Sequence, residues 1–320
     1  LASASAHFRA QARWRPLEIA FWAATLLPFV VAPSYLSLAS QIAITGLFAL
    51  SLDLLLGYAG LVSLGHAAYF GFGAYTAGLL SKYYIGEPLT GLVAAAVAAA
   101  ILGYATSHVI VRFRHLALIM LTMGLGLLLA EAANSAGELT GGADGLQGVK
   151  ISPLLGFQFD LYGRTAYAYS LALLFLFFLV ARRIIHSPFG LALRGIRDNA
   201  TRMPAIGAPS RAHLRKAYTI AAAMAGAAGA LLTQTTSTVS LEVLSFARSA
   251  DVLVILILGG TGRLYGGILG AIVYMVARDQ FSGLNPQYWY FWIGLLLVAV
   301  VMFLPNGILG GLSALHQRLK

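Results

Sequence analysis

The sequence predicts an all-α, polytopic integral membrane protein with about ten membrane segments, and three observations carry that prediction. Charged residues make up only 10% of the 320, against roughly 25% in soluble domains. Hydrophobic residues make up 59%, with a mean hydropathy of +0.80. The apolar runs are also far longer than the roughly 10 alternating residues of a membrane β-strand, which excludes a barrel.

In order, the runs fall at about 18–33, 36–57, 63–81, 90–111, 116–134, 166–185, 216–237, 251–262, 264–279 and 286–304. Arg9, Arg13 and Arg15 precede the first run in a signal-like pattern. No clear cleavage site follows, so the run reads as a retained first helix. The second run leads into residues 57–78, which hold glycines at 57, 60, 65, 71, 73 and 78. Ala67, Gly71, Ala74 and Gly78 form a small-residue stripe that lets a neighbouring helix approach closely. The run at 116–134 ends with Glu131 and Asn134 one turn apart, and a polar outer loop, 135–165, follows with TGGADGLQG at 140–148. Ala222, Gly226 and Ala230 give the run at 216–237 a second close-packing face. The runs around GGTGRLYGG at 259–267 are too short to span comfortably, since about 20 residues are needed. Residues 251–279 therefore read as a broken or re-entrant helix pair whose tip is buried in protein.

Between the sixth and seventh runs lies a basic stretch, 181–218, with Arg182, Arg183, Arg194, Arg197, Arg202, Arg211, Arg215 and Lys216. With the N-terminus inside, sixteen Lys and Arg fall on the cytoplasmic side and five outside: Lys82, Lys150, Arg164, Arg248 and Arg278. That asymmetry fixes the expected orientation and keeps the loop at 186–215 cytoplasmic. Within it Leu191, Leu193, Ile196, Ala200, Met203 and Ile206 recur at roughly helical spacing. A basic loop with an apolar stripe reads either as a membrane-surface helix or as a docking helix for another protein.

Catalytic signatures are lacking. There is no P-loop, H-E-x-x-H or G-x-S-x-G, and no cysteine for a disulfide or thiolate metal site. The chain is expected to be no enzyme and to bind no metal. The few polar residues in the runs need an account, because ionisable groups in a bilayer are costly. Asp53 is a candidate gating or coupling group, with a buried hydrogen-bond partner as the preferred reading. His66 reads as a hinge-locking hydrogen bond rather than a proton relay. Glu131 and Asn134 read equally as contacts for a zwitterionic substrate or as an interfacial polar end. A secondary transporter would use carboxylates in broken helices, which Asp53 and 251–278 supply. A transporter driven by a separate ATPase also explains the basic loop, because motion must reach the membrane through a docking element.

Four blocks carry a family resemblance: LLLGYAGLVSLGHAAYFGFGAYTAGLL (54–80), LTGGADGLQG (139–148), SPFGLALRGIRDN (187–199) and VILILGGTGRLYGGILGA (254–271). From about residue 36 to 310 the chain resembles the LivM-type permeases of branched-chain amino acid ABC transporters. The resemblance implies a permease domain at 18–310 with cytoplasmic tails at 1–17 and 311–320, in a bacterial cytoplasmic membrane. It implies a LivH-like permease partner, two cytoplasmic P-loop ATPases, a periplasmic binding protein and surrounding lipid, with no nucleic acid. ATP and Mg would be used by the ATPases, and no cofactor by this chain. Leu191, Arg194, Ile196, Arg197, Asp198, Asn199, Ile206 and Gly207 would then form the coupling element. Pro204 departs from the family's alanine-rich helix and predicts that the element stops near Met203. Gly57, Gly60, Gly65, His66, Gly71, Gly73, Gly259, Gly260 and Gly262 would be hinge and packing positions, and Asp53, Glu131 and Asn134 pathway candidates. The expected cargo is an amino acid, branched-chain foremost. Family permeases for urea, short amides or aromatic acids, and a free-standing ion-coupled secondary transporter, are the alternatives.

Overall fold

The computed structural model describes residues 16–154, 156–160, 163–205, 207–304 and 306–311. Among the described residues all regular secondary structure is helical, with two isolated bridges, Leu146 to Val239 and Leu154 to Phe157, as its extended pairings. The main helices are α1 (Pro16–Ala24), α2 (Leu36–Asp53), α3 (Ala67–Tyr83), α4 (Pro88–Ile110), α5 (His115–Ser135) and α6 (Arg164–Ile185). They continue with α7 (Pro188–Asp198), α8 (Ser210–Thr236), α9 (Phe246–Gly259), α10 (Gly266–Leu284) and α11 (Trp289–Phe303).

Five stretches are long and apolar enough to cross a membrane: Pro33–Tyr58, Pro88–Ile110, His115–Ser135, Arg164–Ile185 and Trp289–Gly311. The expected count of about ten is therefore not met by length and apolarity alone. The others are interrupted or short or, like α8 with 27 residues and α10 with 19, long enough but less apolar. The first run breaks between α1 and Pro28–Val31, α3 begins only at Ala67, and α9 has 14 residues.

The core is organised on α8. Its Ala and Gly positions let α3 and α4 pack on either side, almost backbone to backbone. A Cβ on Gly73 of α3 would fall on the Gly226 backbone, and one on Gly226 would meet Ala99 of α4. Both predicted small-residue stripes are thus consumed inside this chain rather than by a second subunit. Gly71 and Gly78 face another element, the buried segment that carries Val239 and Leu244. Thr233 of α8 adds a hydrogen bond to the Ala74 carbonyl at 3.0 Å. The α9–α10 pair crosses through Gly259, Gly266 and Gly270, and Gly267 seats α10 against Ala49 of α2. A partly buried ion pair, Arg182 to Glu18 at 2.6 Å, ties α1 to α6.

Candidate coupling site

Three irregular segments meet at one end of the bundle. α2 does not stop at Asp53 but widens into a π-helical turn, Leu54–Tyr58, followed by non-helical backbone to His66. Such turns recur at functional sites because they displace backbone groups from the regular ladder. Against this turn lie the tip of the α9–α10 pair and the C-terminal end of α7.

Asp53 is the buried anchor, 1% exposed. Its Oδ1 accepts the backbone N–H of Gly262 at 2.7 Å. Gly57 sits so close that a Cβ there would overlap Asp53 Oδ1 and the Gly262 backbone. The Gly57 carbonyl accepts from an Arg197 guanidinium nitrogen at 2.5 Å, while Arg197 Nε donates to Asp198 at 3.1 Å. The Arg197 stem lies on Gly60, whose φ of +71° and missing Cβ make room for it. Asp53, Gly57, Gly262 and Arg197 thus form a continuous chain of contacts from the end of α2, through the α9–α10 tip, to α7.

The helix α7 is set by its sequence. Ser187 accepts from the Gly190 N–H as an N-cap, with Pro188 next in the first turn. Arg194 reaches back to the Ile185 carbonyl at 2.8 Å and lies over the Tyr58 ring at 5.9 Å. Leu193 and Ile196 are buried in the chain's own core, so Ile196 anchors the helix instead of offering a docking face. Leu191 does face outward, 56% exposed. The helix ends at Asp198, earlier than the stop expected near Met203. Asn199 leaves helical geometry and its Oδ1 accepts from the Thr201 and Arg202 N–H groups, starting a separate short helix, Arg202–Ala205, that contains Pro204. Gly207 closes that turn in the open, with φ +84°. Ile206 lies outside the described residues. A hollow of about 200 Å³ opens beside Arg197, walled by Gly60, Arg114, His115, Ala200 and Leu214.

The break at 59–66 is held by His66 together with three hydroxyl side chains that sequence reasoning missed, Ser51, Ser249 and Thr122. Ser51 donates to the Phe48 carbonyl at 2.6 Å, so its oxygen is free to accept from His66 Nε2 at 2.8 Å. That assigns the His66 proton to Nε2 and ties His66, fully buried and stacked on Phe48, to α2 across the break. Ser249 of α9 receives the Ala67 N–H at the start of α3 at 3.0 Å, and Thr122 of α5 receives the Leu64 N–H at 3.3 Å. Their sequence signal is only a lone hydroxyl in an apolar run. Gly65 and Gly259 are points of backbone contact, against Thr122 and Gly266, and Gly260 carries φ +110° beside Asn306. Glu131 and Asn134 are elsewhere. Both are exposed on α5, where Glu131 accepts from Ser135 at 3.1 Å, and the structure does not bring them to Asp53.

A family model described as "Branched-chain amino acid transport system / permease component" matches residues 34–301. This chain belongs to that permease family. The permease is 32% identical to the "High-affinity branched-chain amino acid transport system permease protein LivM" of Salmonella typhimurium, over 88% of this chain and 71% of the relative. It is 31% identical to the protein of the same description in Escherichia coli, with the same coverage. A "Probable branched-chain amino acid transport permease protein LivM" of Methanocaldococcus jannaschii is 24% identical over 81% of this chain and 88% of the relative. No solved structure matches the permease significantly. As a permease component, it is a transport subunit that works with further components of its system.

Proposed function

We propose that this chain is the LivM-like permease subunit of an ABC importer that carries branched-chain amino acids into the cytoplasm by alternating access. The observation that carries the reading is the Arg197 bond to the Gly57 carbonyl. It joins the amphipathic cytoplasmic helix to a helix break whose other neighbour, Gly262, is held by Asp53. A push on α7 therefore reaches both broken segments without passing through a flexible linker.

On this reading two P-loop ATPases dock at α7 and the exposed surface of Leu191, Asp198, Asn199 and Gly207, with the hollow beside Arg197 receiving a projecting side chain. They consume ATP and Mg, and this chain binds no cofactor. A LivH-like subunit completes the pathway, and a periplasmic protein delivers the amino acid. The five long spans are joined by α1, α3, α8, α9 and α10 as further membrane segments, which gives the ten expected. Both termini lie on the cytoplasmic side of a bacterial inner membrane, in keeping with the excess of Lys and Arg there. Membership of a family described by branched-chain amino acid transport favours that cargo over urea, amides or aromatic acids, and favours an assembled importer over a free-standing transporter.

The test is purification of the tagged chain from its native host in mild detergent, with leucine uptake measured in parallel. Retention of an ATPase by the wild type, and its loss together with uptake in Arg197→Glu, is the expected result. A single chain that transports leucine in liposomes without nucleotide overturns the reading.

A further inference from the structure

A second polar cluster lies deeper in the bundle. Arg248 and Asp251 of α9 and Tyr274 and Arg278 of α10 line a small cavity closed by Phe48 of α2 and Phe70 of α3. Both helices run away from the turn at Gly259 and Gly266. At about 1.5 Å per residue, Arg248 and Arg278 sit roughly 16–18 Å from the coupling site along the helix axes. In a hydrocarbon core of about 30 Å that is near mid-depth, rather than on the outer side where the sequence count put both.

Tyr274 donates its hydroxyl proton to Asp251 Oδ1 at 3.0 Å. Among the described residues neither guanidinium has a hydrogen-bond acceptor or ion pair. Arg248 lies over the Phe70 ring at 5.5 Å, and Arg278 over the Trp289 ring at 5.1 Å. Ionisable groups at such a depth mark substrate or ion paths. The backbone adds to the field. Ser245 caps α9 by accepting the Arg248 N–H at 3.2 Å. With 14 residues, α9 is about 21 Å long, so its N-terminus opens within the membrane. The N-terminal end of a part-spanning helix favours an anionic group.

The geometry points to a transit site for a zwitterionic α-amino acid. Arg248 and Arg278 hold the carboxylate, Asp251 holds the ammonium group, and Phe48, Val252 and Ile255 receive the apolar side chain. This assignment rests on the functional reading above. The cavity measures about 10 Å³, room for about one water. This is the closed form of the site, and an amino acid enters when the α9–α10 pair parts from α2 and α3.

The test is uptake of labelled L-leucine by the native host carrying Arg248→Gln or Arg278→Gln, with membrane levels checked by immunoblot. Maximal uptake falls roughly tenfold or more, the loss expected when a charged hydrogen-bond donor to the carboxylate is removed. The half-saturating concentration stays within about twofold, because the binding protein sets it. In the purified complex, millimolar L-leucine raises Tm, whereas L-leucinamide and 4-methylpentanoate do not, and Arg278→Gln abolishes the shift. Should a Gln variant fail to accumulate, Arg248→Lys replaces it. Lysine lacks the two-pronged fork, so uptake falls about threefold. Unchanged uptake in the accumulating variants, or a leucine shift that survives Arg278→Gln, overturns the site. Absence of leucine uptake by the wild type overturns the functional reading itself and is told apart by that control.

Discussion

Asp53 and Gly262 are 209 residues apart, yet the Asp53 carboxylate accepts the Gly262 backbone N–H at 2.7 Å. The bond fixes the tip of the α9–α10 pair to the end of α2 where the helix widens. Asp53→Ala strands that donor at a cost of about 1–3 kcal/mol, a drop in Tm of several degrees. Asp53→Asn keeps an acceptor oxygen and loses less than half as much. Equal losses in the two variants, read by thermal unfolding in detergent, would contradict the assignment.

Gly57 has no room for a side chain, since a Cβ would overlap both members of that pair. Gly57→Ala is expected to reduce uptake roughly tenfold or more, because backbone cannot yield as a flexible side chain can. A Cβ on Gly124 of α5 would meet nothing within 4 Å, and Gly124→Ala is the matched control with near-normal uptake. Similar behaviour of the two variants would remove steric fit as the explanation.

Gly207 presents the opposite case: its φ is +84° but the space around it is open. Gly207→Ala carries only the strain of a left-handed residue, about 1–2 kcal/mol, and retains uptake. Gly207→Trp is expected to insert normally yet separate ATP hydrolysis from uptake by placing bulk on the proposed docking surface. Coupled transport in the Trp variant, with both activities measured on one preparation, would exclude this turn from docking.

Ser51 links the Phe48 carbonyl to His66, so Ser51→Ala and His66→Ala remove one shared interaction. Each alone lowers stability, by about 1–2 kcal/mol for the serine. The double variant loses less than the sum, with a coupling of at least about 0.5 kcal/mol. Strict additivity in a thermal double-mutant cycle would show that His66 is held by packing alone.

The all-helical fold was legible in the long apolar runs, and glycine clusters and a basic amphipathic helix are local patterns that single out Gly57, Gly262 and Arg197, which the fold brings together. What covers an apolar face is not local. Ile196 shares its spacing with Leu191, and only the fold shows that one is buried and the other exposed. The bond from Ala67 to Ser249 spans 182 residues and is announced by a single serine. Asn199 looked like part of the docking helix but is the cap of the next one, because its side chain competes locally for backbone N–H groups. Glu131 and Asn134 stand out by polarity alone, and the fold adds that both lie exposed on α5.

The Gly73–Gly226 approach has a mechanical side. Where two helices touch through backbone, no rotamer is available to change and no side chain to compress. α3, α8 and α4 therefore behave as one stiff plate. If α7 is the coupling helix proposed above, displacement delivered by it finds no give there and must emerge at the seams around the plate, the nearest being the one that Asp53 pins.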